Sequence, residues 1–140
     1  MKSERVDTWV TTIPDRPGAL AGKLKQLAAA GVNLEFIIAR RSTSESGKTI
    51  VFVTPVVGPE QIGAASAAGF TKSTGLHTIR IEGPDQPGQG SRVLSALADK
   101  GLNLRGVSAA AMGQKFVCHI ALDTEADAVK AAQILQGFSV

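Results

Sequence analysis

The stretch PDRPGALAGKLKQLAAAGVNL, Pro14 to Leu34, joins a Pro/Gly turn to an amphipathic run and closes on a glycine. Seventy residues later it recurs as PDQPGQGSRVLSALADKGLNL, Pro84 to Leu104. Aligned without a gap, the two share ten identities, among them Pro14/Pro84, Asp15/Asp85, Pro17/Pro87, Gly18/Gly88, Gly31/Gly101 and Asn33/Asn103. Identities concentrated at turn residues mark a tandem duplication.

Working outward, Leu20, Leu24, Leu27 and Ala28 fall at i, i+4, i+7 and i+8, which predicts one helix with a single apolar stripe. Pro17 suits its first position and Gly31 its end. Before the turn, RVDTWVTTI (Arg5–Ile13) is rich in β-branched residues and reads as a strand. In its counterpart LHTIRIEG, Ile79 and Ile81 alternate with polar residues, so the repeat assigns Trp9 and Ile13 to the core face. Trp9 is therefore read as a packing residue rather than a ligand-stacking one. After the helix come strands NLEFIIARRS and KTIVFVTP around a TSESG loop. A helix PEQIGAASAAG follows, weakened by Gly63, and then a short strand FTKST. The second copy repeats this order with a shorter hairpin, a last helix capped by Thr124 and Asp127, and a truncated final strand in GFSV.

Each copy is β-α-β-β-α-β, the ferredoxin-like order in which both helices cover one face of an antiparallel sheet. The expected fold class is α+β, with one module over residues 1–74 and a second over 75–140. FIIA and IVFV are apolar on both faces, so both faces of that sheet are expected to meet protein. Only Ser73, Thr74 and Gly75 separate the copies, which predicts a tight pair. A core of about 70 residues rarely supplies more than about 3–5 kcal/mol. The single cysteine, Cys118, permits no intrachain disulfide. Stabilisation is expected from packing the halves together or from further chains.

The charge is only +3, with five Phe, one Trp, no Tyr and no basic run beyond Arg40-Arg41. That excludes the clustered basic and aromatic pattern of nucleic-acid binders. No signal-like segment and no apolar run of about 18 residues is present, so a cytoplasmic, membrane-free protein is expected. No enzyme constellation stands out, and no cofactor or metal is implied. His119 reads as a half-buried sheet residue, and Cys118 beside it points to the opposite face. The Gly-x-Gly of GQGSRV is no dinucleotide fingerprint, because Val93 stands where a third small residue is needed.

The turn itself is the strongest chemical signal. Helix N-terminal amides and the helix dipole suit a carboxylate, and Gly18 admits a ligand close to the backbone. Asp15 can accept from an ammonium group, Arg16 can pair with a second acid, and Asn33 offers a donor and an acceptor. Together these describe an α-amino-acid site. The alternative is purely structural: Asp15 caps the helix and Asn33 tolerates the turn after Gly31.

PDRPGALAGKLKQLAAAGVNLEFI resembles the signature of ACT domains, ferredoxin-like modules that bind amino acids and regulate metabolism. The resemblance implies a non-catalytic regulatory pair with its two antiparallel sheets packed side by side and its ligand at a module–module interface, between the turn of one module and the second strand of its neighbour. Carried over residue by residue, it implies a site of Asp15, Arg16, Gly18, Ala19, Leu20 and Asn33. The second copy departs from the pattern, with Asp85, Gln86, Gly88, Gln89, Gly90 and Asn103 at those places. That copy either takes a more polar ligand or serves as a structural partner. The implied partners are a small amino acid, a separate regulated protein, and pairing either within the chain or as a homodimer. A ligand-free adaptor module is the rival reading. A small ferredoxin-like enzyme would need a titratable pair in a cleft, which the residues do not assemble.

Overall fold

Asp7 and Thr8 break the expected first strand in two, and the pieces enter different sheets. In the computed structural model, which describes residues 1–138, Lys2–Val6 forms β1 and Trp9–Pro14 forms β2. There follow α1 (Ala19–Ala29), β3 (Phe36–Arg41), β4 (Lys48–Thr54), α2 (Gly58–Ala67) and β5 (Thr71–Lys72). The second copy supplies β6 (His77–Pro84), α3 (Gln89–Ala98), β7 (Leu104–Met112), β8 (Lys115–Leu122) and α4 (Glu125–Gln136). The described residues form two four-stranded antiparallel sheets, in the orders β3-β4-β2-β5 and β1-β6-β8-β7.

The division of the chain differs from the expected 1–74 and 75–140. One compact unit runs from Asp7 to Ser73, and the other combines Met1–Val6 with the chain from Thr74 onward. The reason lies at a sheet edge. In the first unit the two-residue β5 covers the outer side of β2, pairing Trp9 with Lys72. On the equivalent side of β6 the five residues of β1 pair instead, from Lys2 with Glu82 to Val6 with Thr78. The expected final strand at GFSV falls partly outside the described residues. Within them, Gly137 closes α4 and the Phe138 carbonyl accepts from the Met1 amino group at 3.1 Å.

Each unit buries one sheet face under its helices. In the first, Trp9, Ile13, Val51 and Val53 meet Leu27 of α1, Ala65 of α2 and Phe70, so Trp9 and Ile13 are core residues as the repeat predicts. In the second, Ile79, Ile81, Cys118, Ile120 and Leu122 meet Val93 and Leu97 of α3 and Ala128, Ala131 and Leu135 of α4. Burying a large aliphatic side chain stabilises by about 1.5–3 kcal/mol. Burial in that core pushes the Cys118 thiol up to about 11. His119, one residue along, lies on the other face. That other face differs between the units: Val10, Phe36, Ile38, Ile50 and Phe52 stand half-buried in the first. In the second, the register puts Arg80, Glu82, Ser108, Val117 and His119 there.

The helix ends follow the sequence closely. Gly31 has φ +82°, its N–H donates to Ala28 O (2.9 Å), and Val32 N–H donates to Leu27 O (3.2 Å). Gly101 repeats this with Ala98 and Leu97 at 2.9 and 3.1 Å. This is the Schellman arrangement, in which a left-handed glycine lets the last carbonyls find donors. Thr124 caps α4 by accepting from Asp127 N–H at 3.0 Å, as expected.

Candidate functional site

The turn between β2 and α1 is set by its backbone. Pro14 closes β2 opposite Lys48, and Asp15 N–H donates to Gly47 O in the β3–β4 hairpin at 2.9 Å. Arg16 N–H then donates back to Pro14 O at 3.0 Å. Gly18 takes φ +84°, a left-handed conformation that glycine adopts without strain. That kink delays the helix: α1 begins at Ala19, and Pro17 stands in the turn rather than at the first helical position. Ala19 N–H donates to Arg16 O at 3.3 Å and Gly22 N–H to Gly18 O at 2.9 Å. Among the described residues the Leu20 and Ala21 amides between them find no backbone acceptor. Two donors and the positive end of the helix dipole face outward there, the arrangement that suits an anion.

The second turn is a copy at this level. Asp85 N–H donates to Gln114 O at 2.9 Å, Gly88 has φ +80°, Gln89 N–H donates to Gln86 O and Arg92 N–H to Gly88 O. The side chains diverge. Gln89, expected among the ligand residues, is 2% exposed and its Nε2 donates to Pro84 O at 2.9 Å. Its Oε1 accepts from Arg92, which also reaches Gln86 Oε1 at 3.3 Å. The longer side chain is buried where Ala19 is only partly so, and both ends of its amide are engaged within the module. Gln86 is tied down by the same arginine.

Asp15 is not a free carboxylate. Arg41, at the end of β3, places Nε 2.9 Å from its Oδ2. The register explains the meeting: Arg41 and Ile13 both pair with Thr49 of β4, from opposite sides. Alternation then puts Asp15 on the same face as Ile13 and Arg41. In the sequence Arg41 is legible only as half of Arg40-Arg41, since its partner depends on strand register. In the second unit Gly83 and Ala111 flank Phe116 in the same way, so the place of Arg41 is taken by Ala111. Asp85 has no ion pair among the described residues.

Asn33 does not join Asp15 within its own module. β2 and β3 run in the same direction on either side of β4, with Asp15 just after the end of β2 and Asn33 before the start of β3. One strand length, about 20 Å, separates the two ends. Asn103 and Asp85 are separated in the same way. Asp15, Arg16, Gly18, Ala19 and Leu20 thus cluster at one end of the sheet, and Asn33 stands exposed at the other. Among the described residues no group of three or more His, Cys, Asp or Glu is placed to hold a metal ion.

No family model matches the sequence, and no curated protein matches it. Solved structures do resemble it. Protein BT0572 from Bacteroides thetaiotaomicron superposes with a TM-score of 0.78 at 15% identity, over 96% of this chain and 90% of that one. The ligand-free regulatory subunit of aspartate kinase from Thermus thermophilus gives 0.63 at 18% identity, over 99% and 96%. The aspartate kinase of Clostridium acetobutylicum gives 0.58 at 13% identity, over 96% of this chain but 32% of the enzyme. At such identities the likeness is one of fold. The fold is the one that the resemblance to ACT domains implies: two ferredoxin-like modules in tandem, the first inserted after the opening strand of the second.

Proposed function

We propose that the chain is a non-catalytic regulatory pair that binds an amino acid at the turn following β2. The observation that carries this reading is the doubly preserved turn, with Asp15 and Asp85 each anchored by the same 2.9 Å backbone bond and each followed by a left-handed glycine. In this reading the Leu20 and Ala21 amides receive the ligand carboxylate and Asp15 receives its ammonium group. Asn33 would complete such a site only from a neighbouring module, because its own module holds it a strand length away. The fold shared with a regulatory subunit of aspartate kinase supports a regulatory role. The site is assigned to the first turn alone. The engaged Gln89 and Gln86 favour a structural role for the second. Regulation would follow from unequal ligand affinity for two arrangements of the modules, passed to a separate protein. A lone buried thiol suits a reducing compartment such as the cytoplasm.

The test is a thermal-shift screen against the twenty amino acids at millimolar concentration, on the parent and on Asp15→Ala. A bound ligand at about a hundredfold excess over Kd adds about 2.7 kcal/mol. A rise confined to one chemical group and absent in Asp15→Ala is the expected result. A flat response to all twenty supports the ligand-free adaptor instead.

A further inference from the structure

Resting on that reading, the geometry points to Arg41 as the residue that sets the charge of the ligand: we infer that Arg41 occupies the ammonium position on Asp15 in the empty site and exchanges it for the ligand's carboxylate on binding. Three observations carry this. The Arg41 Nε stands 2.9 Å from Asp15 Oδ2, one of the two oxygens that can accept from an incoming ammonium group. The Arg41 side chain is 84% exposed and that of Asp15 34%, and an exposed pair of this kind is weak and easily exchanged. Third, Arg41 is the last residue of β3, and among the described residues its side chain has no other ion pair or hydrogen-bond partner.

The exchange conserves charge only for one kind of ligand. An ammonium group that takes Asp15 releases the guanidinium, whose planar fork is matched to a carboxylate. A zwitterion brings both partners at once. An amine without a carboxylate that displaces Arg41 offers it nothing in return. The second module is the internal control, because Ala111 stands where Arg41 does and Asp85 carries no ion pair among the described residues. The first turn is thereby a zwitterion site, whereas in the second Ala111 offers no counterpart of Arg41 and Arg92 is engaged by Gln86 and Gln89.

The experiment compares the twenty amino acids with their carboxamides, which keep the ammonium group and side chain but lose the acid. Binding is measured by titration calorimetry to the full chain as parent, Arg41→Ala and Asp15→Ala. The parent is expected to prefer the acid to its amide by at least about tenfold, the scale of one charge-assisted hydrogen bond. In Arg41→Ala the preference should fall to about threefold or less, with weaker binding of the acid and undiminished binding of the amide. An unchanged preference in Arg41→Ala would assign the carboxylate to the helix amides alone and overturn this role for Arg41, leaving the amino-acid site standing. Binding that survives Asp15→Ala, or no binding of any acid by the parent, overturns both. As a second readout, the Arg41 side-chain Nε–Hε signal in the parent should move on adding the bound acid and return toward a solvent-like position with the amide.

Discussion

At the scale of single residues, the two turns show how one substitution changes what a shared backbone can offer. Replacing Ala19 by Gln89 leaves the hydrogen bonds of the turn in place and fills its interior side with an amide. Such a buried group is costly to unpair. Gln89→Ala should destabilise the second unit by about 1 kcal/mol, because two hydrogen bonds of a buried side chain are lost while Pro84 and Arg92, both exposed, keep access to solvent. Urea unfolding followed by amide signals of α3 would measure it, and a loss below about 0.5 kcal/mol would mean that solvent replaces the bonds freely. Asp15 and Gly18 are legible as candidate site residues from their recurrence. Gln89 reads as a ligand contact in the sequence and is not one in the fold, because nothing in PDQPGQG tells whether the first helical residue faces outward or in. Arg41 escapes a sequence reading for a related reason, since its partner lies two strands away.

At the scale of elements, helix ends are the most legible feature and helix starts less so. Gly31 and Gly101 end their helices as the spacing predicts, each in a left-handed conformation with the paired Schellman bonds. A Cβ at Gly31 would meet nothing within 4 Å, so Gly31→Ala carries a purely conformational cost of about 1–2 kcal/mol. Gly63 makes the opposite case. It lies inside α2 without a positive φ, and a Cβ there would also meet nothing within 4 Å, so Gly63→Ala should stabilise by about 0.5–1 kcal/mol. Chemical denaturation of both variants checks the pair, and equal signs would contradict the backbone argument. Pro17 by itself suits a helix start and points to one two residues too early. Gly18, free to turn left-handed, postpones it.

At the scale of the whole molecule, the chain runs from β1 into the first unit and back, so the second unit depends on the residues that hold β1 to it. Arg5 of β1 meets Glu125 of α4 at 2.9 Å, and His77 meets the same carboxylate at 3.1 Å. Arg80 of β6 lies 3.6 Å from Glu4 of β1 and 3.1 Å from Glu82, which Lys115 also holds at 2.9 Å. Arg5 foremost, then His77, lowers the Glu125 pKa below its ordinary value, and Lys115 with Arg80 lowers that of Glu82. A carboxylate whose folded pKa is depressed stabilises above its unfolded pKa, and that stabilisation is lost as pH falls through the folded value. The parent should therefore resist urea better than Glu125→Gln at neutral pH. The two should converge as pH falls below the depressed folded value, where the carboxylate takes up its proton in both states. A gap that persists in acid would show that packing, not charge, fastens β1 to α4.

The amino-acid sequence by itself determined the repeat, the βαββα order common to both units, the core faces through Trp9, Ile13, Ile79 and Ile81, and the turn that recurs in both modules. These are encoded locally, in periods of 2 and 3.6 residues and in the left-handed freedom of glycine. Tertiary structure decided the rest. Asp7 and Thr8 do not announce that Lys2–Val6 will leave its neighbours for β6, because either sheet edge satisfies the same unpaired backbone groups. Arg41 meets Asp15, and Asn33 is held away from it, through strand register alone. Register is a long-range property: it places residues far apart in the chain on one face of one sheet, and no local pattern records which.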